Sequence, residues 1–462
     1  MPGTVFEFLR DILLLRGGEG GGAIYGYRKQ LYFALKFQQL TGPVMAKGME
    51  DTACYIYNRF VSVNEVGGSP KQFGIELDEF HRDNLQRQQQ WRHSMLATST
   101  HDTKRSEDVR MRLDVLSELP RLWAAQVLRW RRGNRGKKKT LSDGRTVPDA
   151  NEEYLLYQTL VGTWPLPAAE EPIEETDAGR GNVNPRWALD QQQSEDFLAR
   201  IQAYMTKAVN EAKINMSWVN PHQEYTEALH HFIARILMPG SDNRPNSFLR
   251  QIEEFVPRIA LFGVINSISQ TLIKLTSPGV PDIYQGQELF DFSLVDPDNR
   301  RPVDFELRRR RLRELLEASR EEQAISRLCG EMLKTWSDGR LKLWVTRCAL
   351  QARREYRELF ELGDYVPLPV EGAGERHVVA YARTIGQQMA VVATPRFAYS
   401  MLGGEERMPV GEAWGTTEIV LPPAPPGPPL KNLLTGEILP AGQPTLLCRD
   451  VFASFPLGLL LC

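Results

Sequence analysis

The sequence predicts an α/β protein that ends in an all-β, sandwich-like domain. Three observations carry this reading. A short apolar run, Met95-Leu96-Ala97, suits a buried strand and passes into Thr98-Ser99-Thr100-His101-Asp102-Thr103-Lys104-Arg105, after which a helical pattern follows. A second apolar segment leads into Ser277-Pro278-Gly279-Val280-Pro281-Asp282-Ile283-Tyr284-Gln285-Gly286-Gln287-Glu288, where two prolines and two glycines enforce an irregular loop. From about residue 335, short alternating segments separated by Gly/Pro turns replace the helical texture.

Taken in order, residues 4–16 place Val5, Phe8, Leu9, Ile12, Leu13 and Leu15 at helical spacing. The glycine cluster at 17–22 reads as a surface loop, because no Gly-Lys-Ser/Thr follows and no strand pattern precedes it. Residues 32–40 read as a helix ending before Thr41-Gly42-Pro43. Helices are expected over 105–119 and 120–132, then an exposed basic loop over 133–152 and a Pro/Glu/Gly-rich loop over 164–185. Residues 186–275 return to helical spacing through Ile201, Met205, Ala208, Val209 and Ala212. Strands are expected at 341–345, 377–382, 389–393, 417–421 and 445–448, with a proline-rich turn at 422–429 and a final strand within 455–462.

Composition excludes several classes. The chain has 462 residues, enough for two or three domains, with 25% charged and 42% hydrophobic residues. A formal net charge of −2, from 56 basic and 58 acidic residues, points to neither nucleic acid nor an anionic membrane. The five cysteines, Cys54, Cys329, Cys348, Cys448 and Cys462, are scattered and contain no Cys-x-x-Cys pair. This disfavours a disulfide framework or a zinc site and fits a reducing compartment. The first ten residues carry Glu7 and no long apolar run, and no stretch of about 18 apolar residues is evident to span a membrane, so a cytoplasmic location is expected.

Three segments carry chemistry. In a parallel barrel the C-terminal ends of the strands face the active site, which would put His101 and Asp102 at a sugar-binding rim. A carboxylate there favours an oxocarbenium-like transition state; the plainer alternative is that Asp102 caps a helix. Tyr284 offers an apolar face to a sugar ring, or else packs in a structural turn. The third segment is Lys36-Phe37-Gln38-Gln39-Leu40-Thr41-Gly42-Pro43-Val44-Met45-Ala46-Lys47-Gly48-Met49-Glu50-Asp51-Thr52. Its Gln38, Lys47, Glu50 and Asp51 suit hydroxyl recognition, or equally the start of a helix.

In this order the three segments resemble the α-amylase superfamily. His101-Asp102 is similar to its fourth signature region, and 277–286 to its last barrel strand and following loop. The strings at 36–58 and 93–110, with Gly363-Asp364-Tyr365-Val366-Pro367-Leu368, resemble the maltooligosyltrehalose synthase family in particular. The resemblance implies the C-terminal portion of a (β/α)8 barrel, with barrel segments at 1–104 and 261–334, a helical insert at 105–260, and a β domain at 335–462. It implies conversion of the reducing-end α-1,4 linkage of a maltooligosaccharide to α,α-1,1, with no metal or organic cofactor. Asp102 then matches the transition-state stabiliser and His101 its neighbour on the sugar. Thr103, Lys104, Arg105, Gln38, Lys47, Glu50, Asp51 and Tyr284 are further expected substrate contacts.

The resemblance also implies that the nucleophile and general acid lie on earlier strands, which this sequence does not contain. Arg112-Leu113-Asp114 imitates the nucleophile's Arg-x-Asp, but Val109, Leu113 and Leu116 share helical spacing, which makes Asp114 a surface helix residue. Glu50, Asp51 and Glu288 lack the expected context. An N-terminal catalytic half, in a separate chain or the same one, is therefore expected as a partner. The other readings are another amylase-type hydrolase and a non-catalytic glucan-binding remnant.

Overall fold

The structure is a computed structural model and describes residues 3–16, 23–167, 187–238, 246–422, 428–440 and 442–462. The glycine cluster at 17–22, most of 164–185 and most of 422–429 lie outside the described residues.

One helix organises the rest. Pro257–Thr276 is apolar on nearly every face, so it must be buried on nearly every face. It is long and apolar enough to cross a membrane, contrary to the sequence expectation, but 83% of its most apolar window is buried inside the protein. It packs against the helices Glu107–Asp114 and Arg340–Glu355 and against a β-sheet. The crossing with Glu107–Asp114 is close: a Cβ on Gly263 would fall 2.8 Å from the Arg112 Cα.

On one side of this axis lies a helical body formed by Pro120–Asn134, Ala150–Thr163, Gln191–Ala212, Gln223–Leu237 and Ser247–Phe255. Its core holds an aromatic nest in which Trp130 meets Phe248 at 5.2 Å and Tyr157 at 5.3 Å. The basic stretch at 133–152 is not simply a loop. Lys139–Thr140 and Thr146–Val147 pair as a small hairpin, and Lys138 is anchored 2.7 Å from the buried Glu153.

On the other side lie two antiparallel sheets. The larger runs Ile438–Leu439, Leu430–Asn432, Gly458–Leu461, Gln388–Pro395, Val378–Ile385 and Asp364–Pro367; the smaller runs Thr445–Leu447, Glu418–Val420 and Val370–Glu371. Alternation along the strands divides two cores. Val379, Tyr381, Ala390, Val392, Leu459 and Leu461 face the helices, while Val378, Ala380, Ala382, Val391, Ala393 and Leu460 face the smaller sheet. Covered on both faces, these strands read as nearly continuous apolar runs.

Two expectations are corrected. Residues 341–345 lie in the helix Arg340–Glu355, because Leu341, Trp344, Val345, Cys348, Ala349 and Ala352 are buried at helical spacing and only the five-residue window alternates. The helix expected to stop at residue 40 runs over Ala23–Met45 with Pro43 inside it, and wider π-helical turns at Ala46–Ala53 follow.

The barrel-like feature is a parallel pair, Met95–Leu96 with Val280–Pro281, which forms a two-stranded sheet. Gly279 sits at φ +130°, where a Cβ would strike the Leu96 side chain at 2.6 Å. Met95 is 72% exposed and Val280 50%. Many apolar side chains of Gly3–Leu13 and Ala23–Met45 are exposed too, among them Phe6, Phe8, Tyr32 and Leu40.

The Gly263–Arg112 crossing gives a direct test. Gly263→Ala is expected to lower stability by about 1–3 kcal/mol through overpacking. Gly133→Ala, whose Cβ meets nothing within 4 Å, serves as the control. Urea denaturation monitored by circular dichroism measures both.

Candidate functional site

The first strand of the parallel pair hands the chain to residues 98–106, and buried groups fix that loop from two sides. The Glu65 carboxylate accepts the backbone N–H groups of Lys104 at 2.7 Å and Arg105 at 3.2 Å. Opposite, the Ser106 amide donates to the Ser293 carbonyl at 2.9 Å and the Val295 amide to the Lys104 carbonyl at 3.1 Å. Asn299 Nδ2 donates to the His101 carbonyl at 2.9 Å. The backbone is thereby held while His101 stays exposed and the Asp102 side chain remains 48% exposed. Asp102 caps no helix, since the next one begins at Glu107 with Ser106 at its cap position.

Around Asp102 the charges form a chain. Lys104 Nζ lies 3.7 Å from Asp102 Oδ1 and 3.0 Å from Asp51 Oδ1, and Lys47 Nζ lies 2.5 Å from Asp51 Oδ2. Burial alone would depress Lys104, but its bond to Asp51 and the nearby Asp102 charge raise its pKa. Burial pushes Asp51 up, and its bonds from Lys47 and Lys104 outweigh that and lower it. Glu50 Oε1 accepts the Gly67 amide at 3.2 Å, and Glu288 Oε2 accepts Arg308 Nε at 2.9 Å. Each of the three alternative carboxylates is thus already engaged.

The structure brings Lys47, Asp51, Asp102 and Lys104 together. Tyr284 joins Thr100, Thr103 and Ser106 around a small cavity of about 10 Å3, so the first two sequence segments do meet. Thr103 is buried, its hydroxyl donating to the Thr100 carbonyl at 2.9 Å. Gln38 is exposed on the helix Ala23–Met45 and takes no part in the charge chain. For Arg105 the structure replaces the expected ligand contact with an internal one: it is fully buried, with Nη2 donating to the Tyr204 hydroxyl at 2.8 Å. Asp114 is half-buried rather than a surface residue; Ser62 Oγ donates to it at 2.5 Å, and burial pushes its carboxyl up to about 6.

Sequence reasoning missed the buttress beneath the loop. Lys342 Nζ lies 2.6 Å from Glu107 Oε1 and 2.8 Å from Asp108 Oδ2, and Lys274 Nζ lies 3.2 Å from Glu107 Oε2. Thr98 donates to Glu107, Ser267 donates to Asp108, and the Asp291 amide donates to Asp108 Oδ2 at 2.7 Å. All four charged side chains are buried. Burial would raise Glu107, but Lys342 and Lys274 hold it down at about 2. Burial raises Asp108 despite Lys342. Glu65 was also missed: it follows a single 3-10 turn, Val61–Val63, and nothing local marks its carboxylate as the acceptor of amides 39 and 40 residues further on.

Among the described residues no group of three or more His, Cys, Asp or Glu is placed to hold a metal ion. With mixed helix and sheet and its sheets gathered in the C-terminal part, the chain has the amylase-type fold of its structural neighbours. More narrowly, the chain is related to the maltooligosyltrehalose synthases, whose C-terminal part it matches. It is 34% identical over 361 residues to a Mycobacterium tuberculosis protein carrying the name maltooligosyl trehalose synthase, covering 78% of this chain and 39% of that protein. It superposes on the maltooligosyltrehalose synthase of Arthrobacter ramosus with a TM-score of 0.71 and 30% identity, over 93% of this chain and 46% of that one. For a hypothetical maltooligosyl trehalose synthase of Sulfolobus tokodaii the TM-score is 0.65 and the identity 29%, over 96% and 49% of the two chains. This chain therefore spans less than half the length of these relatives. No protein-family profile matches it.

The buttress predicts a pH-dependent stability. Glu107 is depressed from its ordinary 4.5 to about 2, so its contribution is present above 4.5 and is lost as pH falls toward 2. Lys342→Met leaves two buried carboxylates short of their partner and is expected to cost about 3–5 kcal/mol at pH 7. In urea titrations that deficit should shrink as the pH is lowered and the carboxyls protonate.

Proposed function

We propose that this chain forms part of a retaining intramolecular transglucosylase that rearranges the reducing-end α-1,4 linkage of a maltooligosaccharide to α,α-1,1. The observation that carries the reading is the half-exposed Asp102 at the end of the parallel strand pair, on a backbone clamped by Glu65 and by 293–295. Its place and freedom suit a transition-state stabiliser, which must face the oxocarbenium-like centre without bonding to the enzyme's own cations. Lys104 approaches at 3.7 Å but is drawn closer to Asp51. His101 is exposed beside it and suits a sugar hydroxyl, and Tyr284 suits the ring.

In this reading another carboxylate attacks the anomeric carbon and displaces the terminal glucose, whose oxygen takes a proton from a carboxylic acid. The glucose turns and attacks through its anomeric hydroxyl, whose proton returns to the carboxylate left by the acid, while the glycosyl–enzyme bond breaks and frees the nucleophile, with net retention. Engagement of Glu50, Asp51 and Glu288 in internal bonds supports placing that nucleophile and acid outside this chain's described residues. A segment supplying the rest of a (β/α)8 barrel, as a separate chain or as further polypeptide, would pair with the strand edges and cover the apolar faces of Gly3–Leu13 and Ala23–Met45. The free state of all five cysteines supports a cytoplasmic setting. The same engaged carboxylates also favour a second reading, a non-catalytic glucan-binding remnant.

The test incubates the chain with maltopentaose, alone and mixed with a separately expressed N-terminal part of a related synthase. Loss of reducing ends is expected in the mixture only, and Asp102→Asn should reduce it by roughly a thousandfold or more. Retained maltopentaose binding with no turnover in either case would favour the remnant. Turnover by the chain alone would contradict the placement of the nucleophile and acid elsewhere.

A further inference from the structure

A cavity of about 920 Å3, sharing no lining residue with the Asp102 charge chain, lies between the segment 60–76, the helix Glu107–Asp114 and the β domain. Its volume is near the upper end of that of small-molecule sites. Its lining is cationic: Lys71, Arg110, Arg376 and Arg396 outnumber Glu76 and Asp114. Arg376 and Arg396 flank the open end of the hairpin Val378–Ile385/Gln388–Pro395, where Val378 pairs with Pro395; burial depresses Arg396, the Glu76 charge opposes that, and the nearby Arg376 charge adds a smaller depression. Neither guanidinium has an ion pair or hydrogen bond among the described residues. The Arg396 guanidinium rests 4.3 Å over the Phe397 ring, so one face is stacked and its N–H edge is left for a ligand.

Glu76 offsets part of the positive charge but makes no hydrogen bond or ion pair with either guanidinium among the described residues, and a tetrahedral oxyanion suits the pair because each can donate two parallel N–H bonds to it. The remaining walls suit a ring. Phe60 and Phe73 stand 5.4 Å apart as a tilted pair, and on the adjoining surface the Ser62 hydroxyl donates to the Asp114 carboxyl at 2.5 Å.

The geometry points to this cavity as a binding site for a small phosphate monoester carrying a ring, the phosphate on Arg376 and Arg396 and the ring against Phe60 and Phe73. The site has a route to the Asp102 loop. Arg110 lines the cavity and its Nε lies 3.9 Å from Glu65, the residue that holds the amides of Lys104 and Arg105. A bound anion drawing on Arg110 would shift the charge that Glu65 faces.

Isothermal titration of the 462-residue chain with glucose 6-phosphate, adenosine monophosphate and inorganic phosphate tests this. Saturable binding of one of the two ring esters is expected, with inorganic phosphate weaker, and the ester that binds identifies the ring as sugar or base. Arg376→Ala, at an exposed position that should not disturb folding, is expected to weaken binding about tenfold or more, as is Arg396→Ala. No saturable binding of either ester would overturn the proposal. So would binding unaffected by Arg376→Ala, or inorganic phosphate binding as tightly as the esters. None of these readouts depends on glucan turnover.

Discussion

Glu107 and Asp108 open a helix directly after the Asp102 loop, and both are buried against two lysines. Separating either side would leave charge in the interior without its partner, a cost of several kcal/mol. The chain satisfies this constraint by bringing distant parts together: Lys274 from the central helix, Lys342 from the helix that leads into the β domain, and the Asp291 amide from the loop after the second parallel strand. The arrangement of the loop is therefore tied to the packing of the whole molecule. Among the described residues no hydrogen bond or ion pair joins the two sheets to Lys47, Asp51, Asp102 or Lys104, yet the helix leading into those sheets bears on the loop through Lys342.

The second parallel strand is fixed in a related way. Arg383 in the larger sheet is buried and donates to the carbonyls of Thr276, Phe360 and Gly363, and Arg353 donates to those of Leu275 and Gly279. The Gly363–Leu368 string belongs to the same arrangement. The Gln88 amide donates to Asp364 Oδ1 at 2.7 Å while its carbonyl accepts the Tyr365 amide at 2.6 Å, so the helix Leu77–Gln90 is hydrogen-bonded to the edge strand. What reads in sequence as a family string is, in structure, a seam between the helical part and the sheet.

The sequence made some of this legible and hid the rest for physical reasons. The strands at Val378–Ile385 and Gln388–Pro395 were readable because a sheet buried on both faces needs uninterrupted apolar runs. The helix Arg340–Glu355 was misread where five residues happened to alternate, and a longer window shows the period of a helix. The placement of His101, Asp102 and Tyr284 just beyond the parallel strands was legible because a strand end followed by a polar cluster is a local pattern. Lys342 and Lys274 were not, because their partners are 234 and 167 residues away, and a lone lysine on an apolar helix face announces no partner. Arg105 was taken for a ligand contact because adjacency to Asp102 in sequence says nothing about side-chain direction. In the structure it turns inward to Tyr204.

Buried groups of this chain hold the Asp102 loop in place while the Asp102 side chain stays half-exposed. Native-state hydrogen exchange at the amides of Lys104, Arg105 and Ser106 tests it most directly, since these donate to Glu65 and to the Ser293 carbonyl. The account predicts strong protection at all three, and selective loss at Lys104 and Arg105 in Glu65→Ala. Exchange at the rate of an unbonded surface loop in the unsubstituted chain would contradict it.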